Sequence, residues 1–282
     1  MAAAPGRVGA ALCSLLLALA PAGAARESEE DAPFVPSPTG IVMKMLRLAG
    51  VGPDDYVIDL GSGDGRIVLT AAERFGARGL GVEIRESLVA RSRRAAWEQG
   101  VSDRVRFVQQ DLFETDISAA TVVTVYLLPD AVGRLRRKLL TELEPGTRVV
   151  SHDYPIEHWA PERVVELDHP DKVAVTGVAR TSLYLYRVPA EVGGTWTLET
   201  FPALEVGSVA LELEQRVTTV QGLARLAEGP YRFLDHVRLS GRSIAFEIPA
   251  LRASFSGRVA ADGTMSGTVA LGGETRRWRA SR

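Results

Sequence analysis

The chain has 282 residues, more than one compact core ordinarily organises, so its length points to about two domains. With 33 basic and 35 acidic residues its formal net charge is −2, which provides no electrostatic footprint for nucleic-acid phosphates. The single cysteine, Cys13, rules out an intrachain disulfide and a multi-thiolate metal site.

The first element in chain order is an export signal. Arg7 is the only charge ahead of an apolar run from Val8 to Ala20, which is too short to span a bilayer. Ala22-Gly23-Ala24 supplies the small residues of a cleavage site, and residues 26–31 then turn abruptly polar, the layout of a secretory signal peptide over residues 1–25. The expected location is therefore periplasmic or extracellular, with an uncleaved N-terminal membrane anchor as the alternative.

From Pro33 to Pro189, short β-branched runs alternate with Ala-, Leu- and Arg-rich stretches, the pattern of βα units around a parallel sheet. Strands are predicted at 56–60, 77–83, 105–109, 120–126 and 147–151, with helices filling the gaps between them. Two further runs, 163–167 and 181–188, have no convincing helix between them and read as a hairpin closing the sheet edge. The expectation is an α/β fold over residues 26–190, with a seven-stranded, doubly wound, Rossmann-like sheet. From Glu191 helical periodicity disappears. Gly193-Gly194, Asp262-Gly263 and Gly272-Gly273 punctuate alternating segments such as 243–248, so residues 191–282 read as an antiparallel β module, a small barrel or sandwich.

The chemistry concentrates after the first strand, in Asp59-Leu60-Gly61-Ser62-Gly63-Asp64-Gly65-Arg66, which leads into the helical residues 67–74. Glycines allow positive φ and close backbone approach, and the helix N-terminus offers unpaired N–H groups to a ligand. In a dinucleotide fingerprint the third glycine comes one residue later, where Arg66 stands here, so a nicotinamide cofactor is disfavoured. No Gly-Lys-Ser/Thr ending follows, which excludes a P-loop.

An acidic residue followed by alternating glycines resembles the class I S-adenosylmethionine-dependent methyltransferases. The resemblance implies that Asp59 sits near the methionine part of the cofactor, on the loop of Gly61, Ser62, Gly63 and Gly65. It assigns Glu83, 22 residues after Gly61, to the ribose hydroxyls, and Asp111, with Leu112 beside it, to the adenine amino group. S-adenosylmethionine is thus the expected cofactor, with no metal; His158 and His169 lack ligand spacing with other residues.

Two more stretches, 34–46 with its Phe34-Val35-Pro36-Ser37-Pro38 start and Val125-Tyr126-Leu127-Leu128-Pro129, are similar to bacterial relatives of the family that methylates a lysine of the ATP synthase c-subunit; Ser151-His152-Asp153-Tyr154 also fits. The similarity covers Pro33 to Pro189 and implies a protein lysine as methyl acceptor. A small-molecule O- or N-acceptor and an exported, non-catalytic protein retaining the fold are the alternatives. A lysine amine, with a pKa near ~10.4, must lose its proton before it attacks, which desolvation favours. Tyr126 and Asp153, just beyond the fourth and fifth strands, are the candidate catalytic residues, with His152 and Tyr154 nearby. Pro36 and Pro38 suit either a lid over the cofactor or a plain linker. The basic run Arg134, Arg136, Arg137 and Lys138 suits either a solvated helix face or an acidic partner, such as an envelope or membrane surface.

Overall fold

The computed structural model describes Met1 and residues 34–170, 172–173, 177–199 and 208–282. The export-signal reading lies outside the described residues. No helix among those described is long and apolar enough to cross a membrane.

Helix α1 (Thr39–Leu48) buries Ile41, Val42, Met45 and Leu46 along one stripe, the i, i+4 spacing of a helix laid on a sheet. The sheet beneath it holds β1 (Tyr56–Leu60), β2 (Arg78–Glu83), β3 (Val105–Gln109), β4 (Val122–Val125), β5 (Arg148–His152), β6 (Arg163–Asp168) and β7 (Arg180–Arg187) in the order β3-β2-β1-β4-β5-β7-β6. The first five strands are parallel, and β7 runs antiparallel to both β5 and β6. β1 and β4 are buried almost throughout, as strands covered by helices on both faces are. Helix α2 (Arg66–Phe75) lies between two left-handed glycines, Gly65 (φ 79°) and Gly76 (φ 71°). At its C-terminal end the Ala77 N–H reaches back to the Ala71 carbonyl at 3.2 Å, which closes the last turn. Helices α3 (Glu86–Glu98) and α4 (Pro129–Glu142) complete the layers; Pro129 opens α4, where a missing N–H is no loss.

The expectation of helices in every gap is corrected between β3 and β4. Residues 110–121 contain only turns, held by the Asp111 side chain accepting the Phe113 N–H at 2.7 Å and by Thr115 Oγ1 donating to the Asp111 carbonyl at 2.9 Å. Asp111 thereby commits its side chain to the backbone two residues on, an arrangement that competes with helix. Between β6 and β7, Pro170, Lys172 and Val173 are helical.

The remaining strands form a second, nine-stranded antiparallel sheet: β8 (Gly194–Leu198), β9 (Val209–Arg216), β10 (Thr219–Leu226), β11 (Tyr231–Phe233), β12 (Asp235–Ser240), β13 (Ser243–Ile248), β14 (Ala253–Val259), β15 (Met265–Leu271) and β16 (Glu274–Ser281). The two edge strands β11 and β12 are consecutive in the chain, and Leu234 between them donates its N–H to Gly222 of β10 at 2.8 Å, so the sheet is nearly closed. Aromatic rings pack its interior: Phe246 stacks on Phe255 at 4.9 Å, and Trp278 meets both edge-on at 5.7 Å. The two sheets are joined along a seam where the Ala190 N–H donates to Gly241 O (2.8 Å), Arg242 pairs with Glu144 (2.7 Å) and Ser240 meets Glu162.

Candidate functional site

The carboxyl ends of β1, β2 and β3 bring Asp59, Glu83 and the Asp111 turn to one edge of the first sheet. Gly61, Gly63 and Gly65 all take positive φ (80°, 54° and 79°), which folds the loop back over the strand ends. A Cβ on Gly61 would lie 2.7 Å from Leu127, and one on Gly63 only 2.3 Å from the Phe34 ring. Neither position tolerates a side chain.

Asp59 is 2% exposed, and Thr124 Oγ1 donates to it at 2.6 Å. No cation pairs with it among the described residues. Burial pushes its pKa up, the Thr124 hydrogen bond works against that, and the negative charges of Glu83 and Asp64 add to the rise, to about 7. Glu83 is also buried; its Oε2 accepts the Gly63 N–H at 2.9 Å and its Oε1 the Arg85 N–H at 3.0 Å. Ser62 Oγ is buried without a hydrogen-bond partner. An uncompensated buried carboxylate and an orphaned hydroxyl beside a glycine loop are the donor set that a cationic, hydroxyl-bearing ligand would complete. These residues fit the cofactor that the motif implies. Leu112, next to the half-buried Asp111, packs partly against the core.

Thr124 and Tyr126 lie two residues apart, so the strand's alternation places Tyr126 on the face from which Thr124 reaches Asp59. The Tyr126 ring packs against His152 of β5, with centroids 3.9 Å apart and planes tilted by 31°. Its hydroxyl is pushed well above the ordinary tyrosine range by burial and by the negative charge of the nearby Asp153 carboxylate. Asp153 adopts a left-handed φ of 64° just after β5. It accepts from Lys172 Nζ (2.6 Å), Thr181 Oγ1 (2.7 Å) and the Ser182 N–H (3.3 Å). Burial works to raise its pKa, but the hydrogen bonds from Lys172 and Thr181 and the Lys172 charge hold it below the usual carboxylate range. His152 ends a strand rather than lying in a loop, and it is fully buried; burial depresses its pKa to about 4.

The segment from Phe34 to Pro38 does not run as a free linker. Phe34 lies on Gly63, Arg66 donates to the Ser37 carbonyl at 2.8 Å while gripping Asp64 with two hydrogen bonds (2.8 and 2.7 Å), and Ser37 Oγ meets His152 Nδ1 at 3.0 Å. This strap crosses from the glycine loop to the end of β5. In the basic run, Arg134 lies over the Phe113 ring (3.8 Å), Arg136 donates to Glu157 O (3.3 Å) and Lys138 pairs with Glu142 (2.9 Å), so most of these charges serve the protein itself.

Sequence reasoning missed Thr124, Thr181 and Lys172. Each meets its carboxylate across 65, 28 and 19 residues respectively, through strand register or a turn that no local motif encodes.

Residues 59–163 match the model of the ANTKMT methyltransferase domain. A protein-lysine N-methyltransferase of Saccharolobus islandicus is 42% identical over 155 residues, which span 55% of this chain and 92% of that protein. A lysine N-methyltransferase of Xenopus laevis, named for the ATP synthase c-subunit, is 34% identical over 161 residues, covering 57% of this chain and 70% of that protein. Among solved structures, an RNA methyltransferase from Salinibacter ruber in complex with S-adenosyl-L-homocysteine is 49% identical, covers 56% of this chain and 96% of its own, and superposes with a TM-score of 0.51. All three matches cover little more than half of this chain.

Proposed function

Because the chain belongs to the ANTKMT methyltransferase family and takes its methyl group from S-adenosylmethionine, we propose that it methylates the ε-amino group of a protein lysine. Both curated relatives described above carry lysine N-methyltransferase names, which supports this reading. The observation that carries it here is the Asp153 centre: a carboxylate at the end of β5 already holds an alkylammonium, that of Lys172, at 2.6 Å beside Tyr126. That corner of the molecule has the chemistry to receive a lysine side chain.

The donor supplies an electrophilic methyl group on a sulfonium. In our reading Asp59 pairs with the cofactor's ammonium, which returns the carboxyl to its charged form. Glu83 uses one acceptor direction of each oxygen for a backbone N–H and keeps another on each for the ribose hydroxyls. Asp111 faces the adenine amino group, with Leu112 packed beside it. Tyr126, packed against His152 beside the Asp153 carboxylate, offers oxygen lone pairs to an amine N–H and so fixes the direction of the nitrogen lone pair. With its pKa raised, Tyr126 stays a neutral phenol and is not the base. The acceptor ammonium loses its proton through desolvation on entry.

Labelled S-adenosylmethionine, incubated with the protein and either a lysine-rich polypeptide or an RNA transcript, tests the reading. Recovery of labelled methyl-lysine after acid hydrolysis is the expected result; label confined to nucleosides would replace it with the RNA reading that the Salinibacter neighbour's name suggests. We also propose that residues 1–25 direct export, on their sequence pattern alone, with an envelope protein as acceptor. The N-terminal sequence of the secreted chain checks this, and cleavage after Ala24 or Ala25 is expected.

A further inference from the structure

Four side chains connect the strap to the acceptor side, and their proton arrangement can be worked out. Thr181 Oγ1 donates to Asp153 Oδ1 at 2.7 Å. A hydroxyl has one proton, so at its 2.7 Å contact with His152 Nε2 the same oxygen must accept. His152 therefore carries its proton on Nε2 and leaves Nδ1 as an acceptor, and Ser37 Oγ donates to it at 3.0 Å. Every donor in the series Ser37, His152, Thr181 is aimed toward Asp153. The imidazole is fully buried between a strap residue, a β7 residue and the Tyr126 ring, and both of its ring nitrogens have protein partners.

The two ends of this series serve different parts of the proposed site. Ser37 belongs to the strap whose Phe34 covers Gly63 and whose carbonyl receives Arg66 of the glycine loop. Asp153 holds Lys172 and lies beside Tyr126, whose ring packs on His152. We infer that His152 and Thr181 are positioning residues, a one-directional hydrogen-bond relay that couples the seating of the Phe34–Pro38 strap on the cofactor loop to the orientation of Asp153. The inference rests on reading Asp153 and Tyr126 as the acceptor side, yet its central prediction needs no acceptor. Coupling is reciprocal: loosening either end must loosen the other.

Hydrogen exchange of the full chain tests it. Among the described residues no hydrogen bond joins Thr181 to the strap, its side chain bonding only His152 and Asp153, so a purely local role for it leaves the strap unaffected. The relay instead predicts that Thr181→Val raises exchange at the amides of Ile41 and Val42, which donate to the Pro38 carbonyl of the strap at 2.9 and 3.0 Å, by about tenfold and weakens S-adenosylhomocysteine binding by about the same factor in calorimetry, the size of a typical coupling. Thr181→Ser keeps the hydroxyl and should restore both values to those of the unaltered protein. Ser37→Ala should raise strap exchange as much as Thr181→Val does, and the double variant no further, because both cut one series. Unchanged strap exchange in a folded Thr181→Val protein, or fully additive effects in the double variant, overturns the relay. If Thr181→Val does not fold, Ser37→Ala decides: it must slow methyl transfer to the lysine-rich polypeptide in kcat, and an effect confined to cofactor affinity overturns the inference. If label is found only in nucleosides while strap exchange still responds to Thr181, the lysine reading has failed and the relay stands.

Discussion

Asp59 and Asp153 are the same chemical group at the ends of β1 and β5, the two strands that flank β4, and the protein treats them in opposite ways. Around Asp153 it supplies an ammonium, a hydroxyl and a backbone N–H, and the pKa falls. Around Asp59 it supplies one hydroxyl and two further negative charges, and the pKa climbs to about 7. A carboxylate that satisfies its own protein is furnished internally. One left short of positive charge beside a glycine loop suits a cation from outside, and under the proposed function that asymmetry separates a donor site from an acceptor site.

Asp59→Asn should break the comparison most sharply. It keeps the hydrogen bond with Thr124 but removes the charge, so cofactor affinity should fall by about a hundredfold or more in calorimetry, the scale of a buried charge pair. The free protein should meanwhile become more stable at pH 8. A carboxyl whose folded pKa is raised imposes a penalty that is absent below the ordinary 3.8 and grows until the pH passes about 7. For this rise the penalty is on the order of 4 kcal/mol at most, and denaturant unfolding should recover part of it.

Asp153→Asn should show the reverse pattern. It strands the buried Lys172 ammonium, so stability should drop by about 3 kcal/mol in denaturant unfolding, while cofactor affinity changes less than about threefold because the amide oxygen still accepts from Thr181. Lowering the pH sharpens the contrast without mutation. Below about 7, Asp59 takes up a proton in the free protein, so cofactor affinity should weaken toward tenfold per pH unit, with about one proton released on binding at pH 6. Asp153, held low, contributes nothing to that slope. The smallest effect is that of Tyr126→Phe, which should lower kcat about tenfold through lost orientation and leave cofactor affinity unchanged.

The donor half was largely legible in the sequence because its chemistry is local. Asp59, the glycines and the start of α2 are contiguous, β1 and β3 fall on their predicted bounds, and Glu83 ends β2 as its position suggested. The acceptor half was legible only as names of residues. That Tyr126 lies on His152, and that Thr181 and Lys172 close on Asp153, follows from which strands pair and in what register, including the antiparallel return of β7 beside β5. The helix expected between β3 and β4 failed for a related reason: the Asp111 turn takes up backbone groups that a helix would have used. In the β module the alternation of single strands was readable, but the return of β16 to pair with β8, which brings the sheet round toward closure, is a long-range fact.

The left-handed backbone at Asp153 also limits how this site can diversify. Only glycine, asparagine and aspartate adopt that conformation readily, and a branched or bulky residue there costs on the order of 1–2 kcal/mol before any contact is counted. Position 153 is therefore nearly closed to innovation. Under the proposed function, a lineage that acquires a new methyl acceptor must do so through the groups around it, Tyr126, Thr181 and Lys172, while this one corner of the backbone stays constant.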